Sequence, residues 1–359
     1  MTFDLASLGW DEDFQASYVR FDRSDQQPAR VTRVDRGVCS VLDRDGAHRA
    51  SVGGALLAAA ASDPLRLPCA GDWVVLRAWP DERTTIEAVL PRRTAIVRAS
   101  AGAEALAQVL AANVDTAAVV ASVDPDLDLG RIERLLALAW ESGAQPVIIL
   151  TKMDLVTARN AAPAAIVEQV AEATPGASVY PVSAARGTGL EPLRPFVASG
   201  RTLGLLGASG SGKSTLVNAL AGTTVMGTQS IRRADGRGRH TTTYRALIPL
   251  PGGGAVLDTP GIRAVGMFDG VAGLEQTFAD IDSLAKTCRF GDCSHAGEPG
   301  CAVLAAVESG QLPSRRLRSW RKLQREVAYE MRRHDARVVG QERLRWKRLG
   351  AERRGGARP

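Results

Sequence analysis

A glycine-rich run, GASGSGKST at residues 207–215, stands between an apolar stretch, RTLGLL, and a helical pattern, KSTLVNALAG. Strand, glycine turn and helix in that order form the setting in which backbone N–H groups wrap a phosphate. Gly207 and Gly212 bracket the loop and enclose Ala208, Ser209, Gly210 and Ser211. Lys213 is expected to reach the terminal phosphates, Ser214 to offer its hydroxyl to Mg²⁺, and Thr215 to continue into the helix. The loop specifies phosphate chemistry and leaves the base undecided.

Base choice is the chemistry expected of TKMD, residues 151–154, which closes the apolar run PVIIL. A carboxylate is acceptor-only, so Asp154 can take both N–H groups of the guanine edge, an arrangement adenine cannot offer. The Lys152 stem would lie along the base, with Thr151 and Met153 completing the turn. Ser183 and Ala184 end the next apolar stretch, VYPVSA, where a backbone N–H can meet the guanine O6. A polar turn that merely ends a strand is the plain alternative for so short a motif. DTPG at 258–261 supplies Asp258, which can hold Mg²⁺ through water, and Gly261, whose N–H can sense the γ-phosphate. Between the phosphate loop and DTPG lies GRGRHTTT at 236–243, in which Thr241 or Thr242 can close over Mg²⁺ as a nucleotide-dependent switch.

A third constellation is CRFGDCSHAGEPGC. Cys288, Cys293, His295 and Cys301 make three thiolates and one imidazole, a full tetrahedral set for Zn²⁺. With all four positions filled by protein, the ion is expected to be structural. Cys39 and Cys69 are isolated in sequence and read as buried small side chains.

The elements that must position these groups differ along the chain. Residues 30–98 alternate in short apolar segments separated by DRDG and PDE turns, which predicts a small all-β, OB-like barrel. The insert ALLAAAASDP at 55–64 suits a short helix or a loop. From Val114 onward strands alternate with helical stretches, including a helix near 161–173, which predicts a parallel sheet with helices on both faces. Beyond Gly266 the pattern becomes helices around the Cys/His cluster. In RRLRSWRKLQREVAYEMRRH, residues Leu317, Trp320, Leu323 and Val327 recur at helical spacing, predicting an amphipathic helix with its arginines outward.

The 359 residues, 45% hydrophobic and 23% charged, are enough for two or three domains with real cores. The net charge of +6 is uneven: residues 314–359 hold 16 Lys and Arg against 5 Asp and Glu, the rest 29 against 34. The basic segment is suited to nucleic-acid phosphates. A start without a basic, apolar leader and the absence of a run of roughly 20 apolar residues predict a cytoplasmic protein with no membrane span.

Read together, TKMD and SA followed by GASGSGKST, GRGRHTTT and DTPG resemble a circularly permuted GTPase. With the flanking barrel and Cys/His cluster, the chain resembles the ribosome small-subunit-dependent GTPase family (RsgA, also called YjeQ). That resemblance implies an N-terminal OB-like barrel over 1–98, a permuted GTPase domain over 99–268 and a zinc-binding, helical module over 269–359. It also implies GTP and GDP as ligands with Mg²⁺, one structural zinc, a monomer, and binding to the small ribosomal subunit and its rRNA during late maturation. Hydrolysis would be stimulated by the subunit and coupled to release. Where many GTPases carry a water-orienting glutamine after DTPG, this chain has Ile262, and the resemblance passes that role to His240. An RNA or solvent contact is the other reading of His240. The family usually has Asn where Thr151 stands, and loss of that amide is expected to loosen the tie between base loop and phosphate loop. Two other classes fit parts of the pattern: an RNA-binding assembly factor with a passive nucleotide site, and an ATP-using kinase or transport ATPase, which Asp154 disfavours.

Overall fold

A computed structural model describes residues 4–99, 107–124, 127–158, 162–227, 245–259 and 271–333. Five strands open the chain: β1 (Gln26–Asp35), β2 (Val38–Leu42), β3 (Ala47–Val52), β4 (Trp73–Ala78) and β5 (Thr84–Val89). β1 pairs antiparallel with both β2 and β4, β2 with β3, β4 with β5, and β3 runs parallel to β5, which closes a five-stranded barrel of the expected OB type. The Ala-rich insert is a helix, Gly54–Ser62, between β3 and β4. A short helix, Glu12–Tyr18, capped by the Asp11 carboxylate accepting from the Phe14 N–H, precedes the barrel. Its Phe14 and Tyr18, with Leu5 and Leu8, pack on the buried Trp73.

β6 (Ala95–Ala99) leaves the barrel and pairs with β7 (Ala107–Ala112) as a two-stranded sheet. Its Ile96 and the Leu110 of β7 are buried in the core of the following domain. That domain is built on β8 (Thr116–Ser122), β9 (Gln145–Thr151), β10 (Ser178–Pro181), β11 (Thr202–Leu206), β12 (Ala246–Pro249) and β13 (Ala255–Thr259). In space they lie in the order β10-β9-β8-β11-β13-β12, parallel except for β12. β8, β9, β11 and β13 are buried almost throughout, as strands covered on both faces must be. β12 also meets barrel strand β1 at Arg33 opposite Ala246, so barrel and domain share one 11-stranded sheet.

Helices Leu129–Glu141, Pro163–Ala173 and Lys213–Ala221 flank the sheet, whereas LEPLRPFV forms a 3₁₀ helix, Glu191–Val197, with Pro195 inside it. The last part holds helices Val271–Thr277, Ala279–Ala285 and Ala302–Glu308, and a helix over 314–333. Leu317, Leu323 and Val327 are buried as their spacing predicts, and Trp320 is half-buried.

The outward arginine face needs one correction. Arg316 is 1% exposed and donates to Glu133, Asp280 and the carbonyls of Ala173 (2.6 Å) and Thr277 (2.8 Å). Glu133, 0% exposed on helix Leu129–Glu141, also pairs with Arg315 at 3.0 Å, and Arg134 beside it pairs with Glu326 at 2.7 Å. The long helix is therefore bolted to the sheet domain by charge. Gly273 brings the next helix against the same element: a Cβ there would lie 2.1 Å from the Ala137 carbonyl oxygen. No described helix is long and apolar enough to cross a membrane.

Candidate functional site

Three strand ends converge. β9 ends at Thr151, β10 is followed by Ser183, and β11 runs into the phosphate loop, all at the carboxyl edge of the parallel strands where open α/β sheets bind ligands. β8 lies between β9 and β11, so segments about 60 residues apart in sequence become neighbours only through the sheet order.

The phosphate loop has the conformation its glycines permit. Gly210 and Gly212 adopt positive φ (83° and 89°), and Gly212 is the N-cap of helix Lys213–Ala221. Gly207 has no room for a side chain, since a Cβ would lie 2.5 Å from the Val120 carbonyl oxygen. Lys213 is buried and its ammonium donates to the carbonyls of Gly207 (2.8 Å) and Ala208 (2.9 Å), folding back over the loop. Ser209 is exposed, Ser211 is buried, and Ser214 and Thr215 are half-buried on the first helical turn.

Asp258 sits on β13 opposite Leu205 of β11, one position before the loop strand ends. It is 2% exposed, and its Oδ1 has no hydrogen-bond partner among the described residues. Burial pushes its carboxyl pKa up, with Lys213 pulling the other way; burial likewise lowers Lys213, opposed by Asp258. A buried, unpartnered carboxylate oxygen beside a phosphate loop fits a hydrated divalent cation.

At the base loop the expected weakness is reversed. The Thr151 hydroxyl, 2% exposed, donates to the Ser211 carbonyl oxygen at 2.6 Å, so base loop and phosphate loop are tied without an amide. A β-branched hydroxyl on the last strand residue is short, but the sheet brings Ser211 close enough for it to suffice. Lys152 takes a left-handed φ of 61°, which turns the chain sharply from β9 into helix Met153–Ala158, and the Met153 N–H donates to the Val182 carbonyl at 3.3 Å. Asp154 accepts from the Ser183 hydroxyl at 2.6 Å. The Ser183 N–H donates to the Thr188 carbonyl at 3.0 Å, so among the described residues the amide left for a purine oxygen is that of Ala184. His240, Thr241, Thr242, Gly261 and Ile262 lie outside the described residues.

The Cys/His cluster is closed in space. The ligand atoms of Cys288, Cys293, His295 and Cys301 all lie within 4.8 Å of one another. Cys288 Sγ is 3.9 Å from Cys301 Sγ and 3.6 Å from His295 Nδ1, which is 3.4 Å from Cys301 Sγ. A tetrahedron with metal–sulfur bonds of about 2.3 Å has edges of about 3.8 Å, so the donor set fits a four-coordinate ion. The Leu304 N–H donates to Cys301 Sγ at 3.4 Å, and Glu298 accepts from the Ser294 hydroxyl and from the N–H groups of Ser294, Ala296 and Gly297, which holds its carboxyl well below the usual range. His295 has φ 56°, its carbonyl accepts from Arg321, and its ring lies 5.6 Å from Trp320, so the long helix lies against the cluster. Neither this contact nor the Glu133–Arg316 pair had a signal in the sequence, because Glu133, in the run Arg131–Arg134, reads as an ordinary polar residue of an amphipathic helix.

Comparison with known proteins agrees with this geometry. The model of the RsgA GTPase family matches residues 89–268. A small ribosomal subunit biogenesis GTPase RsgA of Streptomyces coelicolor is 50% identical over 97% of this chain and 93% of its own length. One of Opitutus terrae is 44% identical over 96% and 95%. Among solved structures, YjeQ from Thermotoga maritima matches with a TM-score of 0.59 at 25% identity, covering 84% of this chain and 99% of the other. YloQ, a circularly permuted GTPase, matches with a TM-score of 0.57 at 25% identity, covering 86% and 96%.

Proposed function

The chain belongs to the RsgA GTPase family, and from that premise we propose that it binds the small (30S) ribosomal subunit in late maturation, hydrolyses GTP there and departs afterwards. The observation that carries this reading is the joined cradle: Asp154 held by Ser183 at 2.6 Å on one loop, and that loop held to the phosphate loop by Thr151 at 2.6 Å. In it Asp154 selects guanine, the Ala184 N–H meets O6, Gly207–Gly212 N–H groups and Lys213 hold the phosphates, and the Ser214 hydroxyl, with Asp258 through water, would hold Mg²⁺, whose charge would offset that of the phosphates. Thr241 or Thr242 and Gly261 respond to the γ-phosphate, and His240 orients the attacking water. The ion of the Cys/His cluster is a structural zinc. The protein acts as a cytoplasmic monomer made of the barrel (1–98), the permuted GTPase domain (99–268) and the zinc module (269–359), with the barrel and the basic C-terminal segment facing rRNA.

The order of parts supports a release mechanism. The strand bearing Asp258 leads within about 30 residues into the metal cluster, so loss of the γ-phosphate can be transmitted to a module that grips RNA. Phosphate release is measured over many turnovers with and without purified small subunits. Stimulation by the subunit, lost in His240→Ala, is the expected result. Turnover that stays negligible in both conditions would instead favour an assembly factor with a passive nucleotide site. Asp154→Asn addresses the base separately: it should cost guanosine nucleotides on the order of 100-fold in affinity, because the amide presents a donor to a donor edge. Equal binding of ATP and GTP by the unaltered chain would refute base selection by Asp154.

A further inference from the structure

A second cationic recess lies away from the nucleotide cradle, where barrel and GTPase domain meet. Its volume is about 440 Å³, within the range of roughly 300–1,000 Å³ usual for small-ligand sites. One wall is the β1–β2 turn of the barrel, with Arg33, Asp35 and Arg36; the others carry Cys69, Gln108 of β7 and Arg245. The walls are joined by the pairing of Arg33 with Ala246, the residue after Arg245.

The charge in this recess is unbalanced. Arg33 is paired with Asp35 at 2.6 Å, and Asp35 is the one carboxylate among the described lining residues. Arg245 is half-buried and makes no ion pair or hydrogen bond among the described residues. Burial and the nearby Arg98 charge both press its pKa downward. A guanidinium that is desolvated, repelled by another and left without an anion is costly unless something supplies the anion. Arg36 sits on the turn after β1, at φ 42° beside Gly37 at φ 87°, and lines the same recess from its exposed side. Guanidinium forks of this kind match phosphate oxygens in pairs.

We propose that this recess is a phosphate-binding site in which Arg36 of the barrel and Arg245 of the GTPase domain clamp one phosphate group, with Gln108 as a further donor. Among the described lining residues three arginines stand against one carboxylate, a balance that matches the two charges of a phosphate monoester and favours a small phosphorylated molecule over a phosphodiester. Binding itself does not depend on the proposed ribosomal role.

The test uses the full chain saturated with GDP and Mg²⁺, so that the nucleotide cradle is filled. Phenylglyoxal modification of Arg36 and Arg245 is mapped by mass spectrometry with inorganic phosphate, or with single-stranded RNA lacking terminal phosphates. Phosphate should slow modification of Arg245 at least about fivefold in a saturable way, and Arg36→Met should abolish that protection while leaving GDP affinity unchanged. Protection by RNA and not by phosphate would overturn the monoester assignment in favour of a polynucleotide backbone. Modification of Arg245 at one rate under all conditions, in the unaltered chain and in Arg36→Met alike, would overturn the site. Arg36 lies on an exposed turn, so this variant tests the clamp without disturbing the core.

Discussion

Thr151 Oγ1 lies 2.6 Å from the Ser211 carbonyl oxygen and joins a loop at the end of β9 to a loop at the end of β11. The second acceptor near that hydroxyl, the Ala121 carbonyl, is at 3.3 Å, so the single hydroxyl proton goes to Ser211. Thr151→Val keeps the shape and removes the donor. Affinity for GDP should fall about five- to tenfold, the worth of one buried hydrogen bond, and Thr151→Asn, whose amide can donate to the same oxygen, should bind within about twofold of the unaltered chain. Calorimetric GDP titration decides it: equal affinity in Thr151→Val would mean the tie is irrelevant to the cradle.

Arg316 and Glu133 predict a stability effect rather than an activity effect. Both side chains are at most 2% exposed, so Arg316→Met leaves the buried Glu133 carboxylate with only the more exposed Arg315 as a partner and should cost about 3 kcal/mol in urea unfolding. Adding Glu133→Gln to the same chain should recover part of that loss, since the buried charge left with one partner goes with it. A double variant no more stable than Arg316→Met would assign the cost to lost packing on Phe278, whose ring lies 4.7 Å from the guanidinium.

Asp258 predicts the reverse sign. Its carboxyl pKa is raised in the folded chain, so the ionised form is penalised: the cost is present at neutral pH and relieved as pH falls below the raised value toward the ordinary 3.8. Asp258→Asn should therefore raise the midpoint of thermal unfolding of the nucleotide-free chain while reducing Mg²⁺-dependent GTP turnover by at least about tenfold. A lowered midpoint measured by calorimetry would show that the carboxylate stabilises the apo fold.

Removal of the metal should act locally. One metal ion per chain, identified as zinc by atomic emission, is expected, and Cys301→Ser should lose most of it. Because His295 and its carbonyl contact Trp320 and Arg321, hydrogen exchange over 314–333 should accelerate in that variant while GDP binding stays within about twofold. Unchanged exchange would separate the helix from the metal cluster.

The phosphate loop, the TKMD turn, the strand bearing Asp258 and the Cys/His cluster were legible because each depends on spacing within one short segment. Gly207, Gly210 and Gly212 sit where a side chain would collide or where φ must be positive, and such local demands leave a mark in composition. The barrel and the alternating strands were legible for the same reason, since burial of one or both faces imposes a period on the chain. The helix bounds around LEPLRPFV and the departure of β6 from the barrel were less so, because prolines and short apolar runs suit several elements.

What the sequence determined by itself was the inventory of motifs: a glycine-rich loop, the TKMD and SA turns, DTPG and a Cys/His cluster, in permuted order. Only the tertiary structure decided which of them touch. Insertion of β8 between β9 and β11 brought Thr151 to Ser211 and turned an apparent defect into a tie. Packing of the helix over 314–333 on helix Leu129–Glu141 buried Glu133 and Arg316 together against the expectation that arginines face water. Contacts across long separations depend on strand order and interhelical distance, and neither quantity is written in the period or spacing of any single segment.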